Sequence, residues 1–281
     1  MKVTPRQVEQ TVAAIHRAGC LLLESQPQIL WNLKEDGTFV TSLDLRVEDL
    51  IGASLGSIFP DCRFIGEEHP ESWSRRAESH ARVILDPIDG TAPFARGLNY
   101  FGISLAVLDD LSRPLLAIIH MPGLKKWYVA SFEDQVPTRY RVTFQGDDPE
   151  ISVVESTISI ASDWNLEHAY VYVSSDFHRQ LDMSGYPGKI RALGATAAHL
   201  ALLTDHTIDP AAVILTRYKV WDIAAGLALA TAAHLEISNL TSGAVFRFEE
   251  LFELTEMRSA LLVGRPDVLN AVAPGLKILG G

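Results

Sequence analysis

The pattern of apolar residues changes character once along this chain, near residue 147, and that change restricts the architectures open to it. Before it, Ile103 to Leu108, Leu115 to Ile119 and Trp127 to Ala130 follow one another with only Asp109-Asp110 and Pro122-Gly123 as separators. That spacing predicts successive antiparallel strands. After it, strand-like and helix-like runs alternate: strand Tyr170 to Val173, helix, strand Lys189 to Leu193, helix Thr196 to Leu203, strand Ala211 to Leu215, helix Trp221 to Leu235. A meander followed by alternation reads as an α+β half, residues 1–147, joined to an α/β half, residues 148–281, across the polar stretch Asp134 to Glu150. The fold class expected is therefore α/β, and no internal repeat argues for a solenoid.

Two helices precede the meander. Thr4-Pro5-Arg6-Gln7 has a capping threonine, a proline suited to the first helical position and a glutamine where a capping box places it. Val8, Val12, Ile15, Gly19 and Leu22 follow at helical spacing to about Ser25, and Leu43 to Ile58 carries a second apolar stripe closed by Pro60. Arg63 to Ile65 and Arg82 to Leu85 are short strand-like runs, each ending at carboxylates.

Composition narrows the function classes. With 47% hydrophobic and 21% charged residues the chain is globular, and its formal net charge of −11 has the wrong sign for a nucleic-acid module or an anionic-membrane binder. Cys20 and Cys62 lie far apart without metal or disulfide spacing, which fits a reducing compartment. The polar start MKVTPRQVEQ has no leader-like apolar stretch, and the apolar run Ile223 to Ala233 is shorter than the ~20 residues a membrane span needs. A cytoplasmic protein with no membrane partner is expected.

Three segments carry candidate chemistry. Ile65-Gly66-Glu67-Glu68 is a strand end followed by two acids. Ile84-Leu85-Asp86-Pro87-Ile88-Asp89-Gly90-Thr91 delivers Asp86 from an apolar strand, fixes the turn with Pro87, and places Asp89 ahead of what reads as a short helix start. Val220-Trp221-Asp222 opens an apolar, alanine-rich helix. Carboxylates gathered at one site need a counter-charge or must protonate, and an oxygen-only set without Cys or His points to Mg²⁺ rather than zinc. The free N–H groups at Gly90 and Thr91 would suit a phosphate oxygen. An acidic protein can thus bind an anion through cations that it carries.

These segments resemble the inositol monophosphatase family, within the Mg²⁺-dependent, lithium-sensitive phosphatases that include fructose-1,6-bisphosphatases. The resemblance rests on Gly66-Glu67-Glu68, Asp86-Pro87-Ile88-Asp89-Gly90-Thr91 and Trp221-Asp222. It is joined by Val40-Thr41-Ser42-Leu43-Asp44 with Glu48 after it, and by Gly194-Ala195-Thr196-Ala197-Ala198. Five segments in order span roughly Lys34 to Gly226. The resemblance implies a layered αβαβα sandwich of two halves with the site between them, and a homodimer. It implies two to three Mg²⁺ ions: Glu67, Asp86 and the Ile88 carbonyl on the first, Asp86, Asp89 and Asp222 on the second, and Glu67 helping a third through water. Thr91, hydrogen-bonded towards Asp44, would activate the water that attacks phosphorus in line. Asp89, Gly90, Thr91, Thr196 and Ala197 would line the phosphate and substrate.

Two departures bear on the substrate. After Asp-Gly-Thr this chain reads Ala92-Pro93-Phe94, where the family has Thr/Lys and then Asn/Glu. Seven residues before Asp222 it has Leu215, where inositol-specific members have an acid for the ring hydroxyls. A small polyol or sugar phosphate is therefore expected, with histidinol phosphate, fructose bisphosphate and 3′-phosphoadenosine phosphate as alternatives, the last disfavoured by the missing Lys-Glu after Thr91. A regulatory protein on the same fold is the alternative from another class. Arg191, just ahead of Gly194, is the residue to test as a substrate anchor, and Arg217 and Lys219 stand beside Leu215. Trp221 reads as packing support for Asp222, Glu68 as a solvated or supporting acid, and His16, His199 and His234 as histidines on helices without a ligand role.

Overall fold

Thr4 caps the first helix, α1 (Pro5–Ser25), with the full capping box: the Gln7 N–H reaches the Thr4 hydroxyl and the Gln7 side chain accepts from the Thr4 N–H. Its buried stripe, with Val8, Val12, Ile15 and Leu22, packs beside α2 (Ser42–Ile58) on one face of a seven-stranded sheet. In this computed structural model the chain is described over residues 1–28, 30–33, 39–69, 81–154, 165–205, 208, 210–252 and 260–279. The sequence run at Lys34 lies outside those residues.

The large sheet comprises β3 (Arg63–Gly66), β4 (Arg82–Asp89), β5 (Gly102–Leu108), β6 (Pro114–Met121), β7 (Lys126–Glu133), β8 (Val136–Gln145) and β9 (Asp148–Val154), in that order. Only β3 and β4 pair in parallel. A short hairpin, β1 (Trp31–Leu33) with β2 (Phe39–Thr41), leads into α2. The polar stretch Asp134 to Glu150 is not a linker: it forms most of the β8–β9 hairpin, turning at Gly146 (φ 64°). Its strands alternate between half-buried and exposed positions, which is why the segment reads as polar.

The second sheet has the order β12-β10-β13-β15-β14, built from β10 (Tyr170–Val173), β12 (Lys189–Arg191), β13 (Ala212–Leu215), β14 (Glu236–Asn239) and β15 (Leu261–Gly264). The strands β12, β10 and β13 are parallel, as the alternation predicts; β15 runs antiparallel to both neighbours. Between β10 and β12 the expected helix is replaced by a 3-10 turn, Phe177–Arg179, and the two-residue strand β11 (Leu181–Asp182), which pairs with β16 (Lys277–Ile278). Gly185-Tyr186-Pro187-Gly188 follows too closely for a helix to extend, and at Gly188 a Cβ would lie 2.5 Å from the Ala169 carbonyl oxygen.

Two buried helices, α4 (Thr196–Leu203) and α5 (Val220–Ala232), fill the space between the sheets, and α6 (Pro266–Val272) covers the outer face of the smaller one. The expected helix end at Leu235 comes earlier, because His234 sits at φ 57° just past α5 rather than on it. Strand alternation assigns residues to layers. In β4, Val83 and Leu85 face α1 and α2 while Ile84 faces α5; in β13, Val213 and Leu215 face α5 while Ala212 and Ile214 face α6. The layers run αβαβα, the sandwich that the resemblance implies. No helix among the described residues is long and apolar enough to cross a membrane.

Candidate active site

The C-terminal ends of the parallel pair β3 and β4 deliver the acids. Past Asp86, which pairs opposite Ser104, the β4–β5 register slips, and Asp89 pairs opposite Gly102. Four residues of β4 there oppose three of β5, a bulge that Pro87 favours by withholding a ladder donor. Asp86 Oδ1 accepts from the Ile88 N–H at 3.0 Å, closing a tight loop within the bulge. Asp86 and Asp89 are 2% and 4% exposed.

Beyond Asp89 the chain turns through Gly90, at φ 87°, into the single-turn helix α3 (Thr91–Ala95). The Thr91 hydroxyl donates towards Asp44 Oδ1 at 3.3 Å and the Ile88 carbonyl at 3.1 Å, so the Thr91–Asp44 contact that the resemblance implies is present. Asp44 is itself fixed as the far end of a capping box, its Oδ2 accepting from the Thr41 N–H at 2.7 Å and the Thr41 hydroxyl at 2.6 Å.

The other half contributes two helix starts. Asp89 Oδ1 accepts from the Thr196 N–H at 2.8 Å and Oδ2 from the Ala198 N–H at 3.0 Å, so a carboxylate on β4 caps α4. Asp222, in the first turn of α5, reaches back to the Lys219 N–H at 2.6 Å. Its neighbour Trp221 is partly buried against the core, and the Trp221 carbonyl accepts from the Ser104 hydroxyl at 3.4 Å, tying α5 to β5.

The acids act on one another electrostatically. Burial raises Asp86 well above the ordinary carboxylate range, and Glu67, Asp89, Asp222 and Asp44 all push it further up. Burial lifts Asp89 to about 7, against the lowering pull of the N–H groups of Ala198, Ala197 and Thr196, with Glu67 adding to the rise. Burial lifts Asp222 to about 8, opposed by the Lys219 N–H and aided by Asp89 and Glu67. Among the described residues no three His, Cys, Asp or Glu side chains are already closed up as an ion cage. The donor chemistry nonetheless suits a hard dication: oxygen throughout, mutually repelling, with the two hydrogen bonds at Asp89 using one lone pair on each oxygen.

Thr196 and Ala197 lie at the start of α4 beside Asp89, and Glu67 follows β3. Gly90 and Gly194 draw the halves together: a Cβ on Gly90 would lie 2.7 Å from Ala195 Cβ, and one on Gly194 would lie 3.3 Å from Pro93. Arg191 is exposed on the edge strand β12, its guanidinium 4.9 Å over the Tyr170 ring, and among the described residues no hydrogen bond or ion pair joins it to the acids. Arg217 is held by Asp176 at 3.0 Å. Leu215 is 0% exposed and belongs to the core between the sheets. His199 is buried on α4, and His16 stacks on Phe144 with ring centroids 3.9 Å apart. Glu48, noted in sequence only as following Asp44, is a buried acid whose partners are the Glu68 and His69 amides and the His69 ring, contacts that sequence reasoning missed.

Comparison with known proteins identifies the family and the fold. The sequence model of the inositol monophosphatase family matches residues 5–272. An inositol-1-monophosphatase of Mesorhizobium japonicum is 28% identical over 219 residues, covering 75% of this chain and 76% of that protein. A 3′(2′),5′-bisphosphate nucleotidase CysQ of Haemophilus influenzae is 27% identical over 218 residues, covering 74% of this chain and 75% of that protein. An IMPase/NADP phosphatase solved with Mg²⁺ and phosphate superposes with a TM-score of 0.69 at 18% identity, covering 92% of this chain and 90% of that one.

Proposed function

Because this chain belongs to the inositol monophosphatase family of phosphoric monoester hydrolases, we propose that it is a Mg²⁺-dependent phosphatase of a small polyol or sugar phosphate. The observation that carries the reading is the Asp86 carboxyl, buried and pushed upward by four other acids at the seam between the halves. Such a set is costly without a cation and well matched to one.

In this reading Glu67, Asp86 and the Ile88 carbonyl hold one Mg²⁺, and Asp86, Asp89 and Asp222 hold another. When bound, Mg²⁺ supplies charge stabilisation to the transferring phosphoryl group and its leaving oxygen, and acidifies water. The remaining work belongs to the chain. Thr91 holds a single hydroxyl proton between Asp44 and the Ile88 carbonyl. Passing it to Asp44 Oδ1 lets Thr91 take a proton from the attacking water, so the oxygen reaching phosphorus carries hydroxide character. Gly90 and Thr91 N–H groups orient the phosphate, and the turn needs glycine because φ there is 87°. The start of α4 at Thr196 and Ala197 closes the site from the other side.

Substrate choice follows from what lines the site. Leu215 is buried in the core and offers no acceptor for an inositol ring hydroxyl, and Pro93 packs beside Gly194 where the family carries polar residues. The relatives' names include inositol and nucleotide phosphates, so the test takes both. Phosphate release is measured from myo-inositol 1-phosphate, histidinol phosphate, fructose 1,6-bisphosphate, 3′-phosphoadenosine 5′-phosphate and simple polyol phosphates, with and without Mg²⁺. Mg²⁺-dependent release, with a polyol or sugar phosphate preferred, is expected. Preference for the nucleotide would replace the substrate assignment, and release unaffected by Mg²⁺ removal would overturn the metal reading.

A further inference from the structure

Glu48 lies on α2 one turn beyond Asp44 and is only 1% exposed, yet it makes no contact with Thr91 or the β4 bulge among its hydrogen bonds. Its Oε2 accepts from the Glu68 N–H at 2.9 Å. Its Oε1 accepts from the His69 N–H at 2.9 Å and lies 3.2 Å from His69 Nδ1. All three donors belong to the segment directly after Glu67. On the other side of Glu67 stands Gly66, where a Cβ would fall 2.3 Å from Glu48 Oε1 and 2.5 Å from its Cδ. The chain thus wraps the Glu48 carboxylate on both flanks of Glu67, and a side chain at position 66 would push that carboxylate out of its present place.

Strand pairing cannot do this job. The last β3–β4 partner is Gly66, opposite Leu85, so Glu67 stands one residue past the end of the ladder. From there the backbone has to find hydrogen bonds elsewhere, and a buried carboxylate offers the strongest acceptor for adjacent N–H groups. The structure therefore shows a clamp: α2 carries an acid that accepts from the Glu68 and His69 amides.

We propose that Glu48 is a positioning residue that fixes the loop carrying Glu67, so that Mg²⁺ affinity depends on Glu48 although it does not touch the metal. The proposal rests on the reading of Glu67 as a Mg²⁺ ligand. Supporting groups of this kind carry about 10- to 100-fold of metal affinity when removed.

The test is Glu48→Gln, which keeps the shape but turns an amide NH₂ towards one of the two backbone donors. Mg²⁺ is titrated against the melting temperature, and separately against phosphate release. The expected result is a half-saturating Mg²⁺ concentration raised about tenfold or more in both titrations, with kcat at saturating Mg²⁺ within about twofold of wild type. Glu48→Asp keeps the charge but withdraws the carboxylate from the amides, and it loses affinity in the same way if placement rather than charge is the cause. It also decides the matter should the glutamine variant fail to fold. An unchanged half-saturation in a folded variant overturns the proposal, as does a fall in kcat alone. Wild type and Glu67→Gln run alongside. If wild type gains no melting temperature from Mg²⁺, or Glu67→Gln binds Mg²⁺ as wild type does, the metal reading fails, and the Glu48 proposal with it.

Discussion

Asp89 and Thr196 are 107 positions apart in sequence, and the Asp89 carboxylate accepts the Thr196 N–H at 2.8 Å. One residue therefore has two jobs: it ends β4 among the other acids, and it caps α4 in the opposite half. The two jobs separate in Asp89→Asn. Asparagine still offers one acceptor to the α4 amides, and it removes a negative charge from a buried, mutually repelling set. The metal-free melting temperature is expected to change by no more than a few degrees, the Mg²⁺-induced gain to vanish, and phosphate release to fall by about a thousandfold or more. A variant that melts much lower but keeps its activity would make Asp89 a cap and nothing more.

The raised carboxyls make a pH-dependent prediction. Asp89 and Asp222 titrate at about 7 and about 8 in the folded protein, against an ordinary value of 3.8. A raised folded value means that the folded state holds more protons through that interval. Their contribution to metal-free stability is complete below the ordinary value and is lost as pH rises through about 7 and 8. Mg²⁺ competes with those protons. The Mg²⁺-induced gain in melting temperature should therefore grow from pH 5 to pH 8, while the metal-free protein loses stability across that range and levels off only as the pH passes about 8. Scanning fluorimetry with and without Mg²⁺ at four pH values reads both, and a gain independent of pH would contradict the assignment.

Much of this was legible in the sequence because it is encoded locally. The capping box at Thr4 and Gln7 and the register of the α1 stripe depend on residue type at short spacing, whereas the gathering of Glu67, Asp86 and Asp89 with the distant Asp222 followed only from the resemblance to a family. The seam between the halves is not encoded that way. The partners of Asp89 are backbone amides on α4, and any residues there would present the same N–H groups. The same holds for Glu48, whose partners are the amides of Glu68 and His69; a glycine directly before the acid pair was the only trace it left. The β8–β9 hairpin was hidden because half-buried strands share the composition of a polar linker.

Gly90 provides a test of the seam with an internal control. It sits at φ 87°, and a Cβ there would lie 2.7 Å from Ala195 Cβ and 3.0 Å from the Tyr100 carbonyl oxygen. Gly97 also has a positive φ, 75°, but nothing lies within 4 Å of its would-be Cβ. Gly97→Ala should cost only the backbone penalty, about 1 kcal/mol, with activity retained. Gly90→Ala adds a collision between the halves, and should cost more than Gly97→Ala and remove most phosphate release. Equal stability losses in the two variants would mean that the contact at Ala195 relaxes freely.

His199 sets an acid limit on the same region. It is buried on α4, with its ring stacked on Tyr172 at 4.8 Å, and its Nε2 accepts from the Leu193 N–H at 2.9 Å. The neutral ring must then carry its proton on Nδ1, which is buried and has no partner among the described residues. Burial drives the imidazole down from 6.5 to about 3. A lowered folded value means that the unfolded chain binds the extra proton between those limits. Stability from this group is complete above about pH 6.5 and falls as pH drops towards 3, with a slope approaching 1.4 kcal/mol per pH unit. His120, pushed to about 3 by burial with Nδ1 donating to the Lys126 carbonyl, adds in the same direction. His199→Gln retains an acceptor for the Leu193 amide but cannot charge. Denaturant unfolding at pH 4 to 7 should show its stability varying less steeply with pH than wild type, by about one proton's worth, whatever it loses at neutral pH from the missing stack on Tyr172. An unchanged slope would mean that His199 is not the group whose protonation opens this fold.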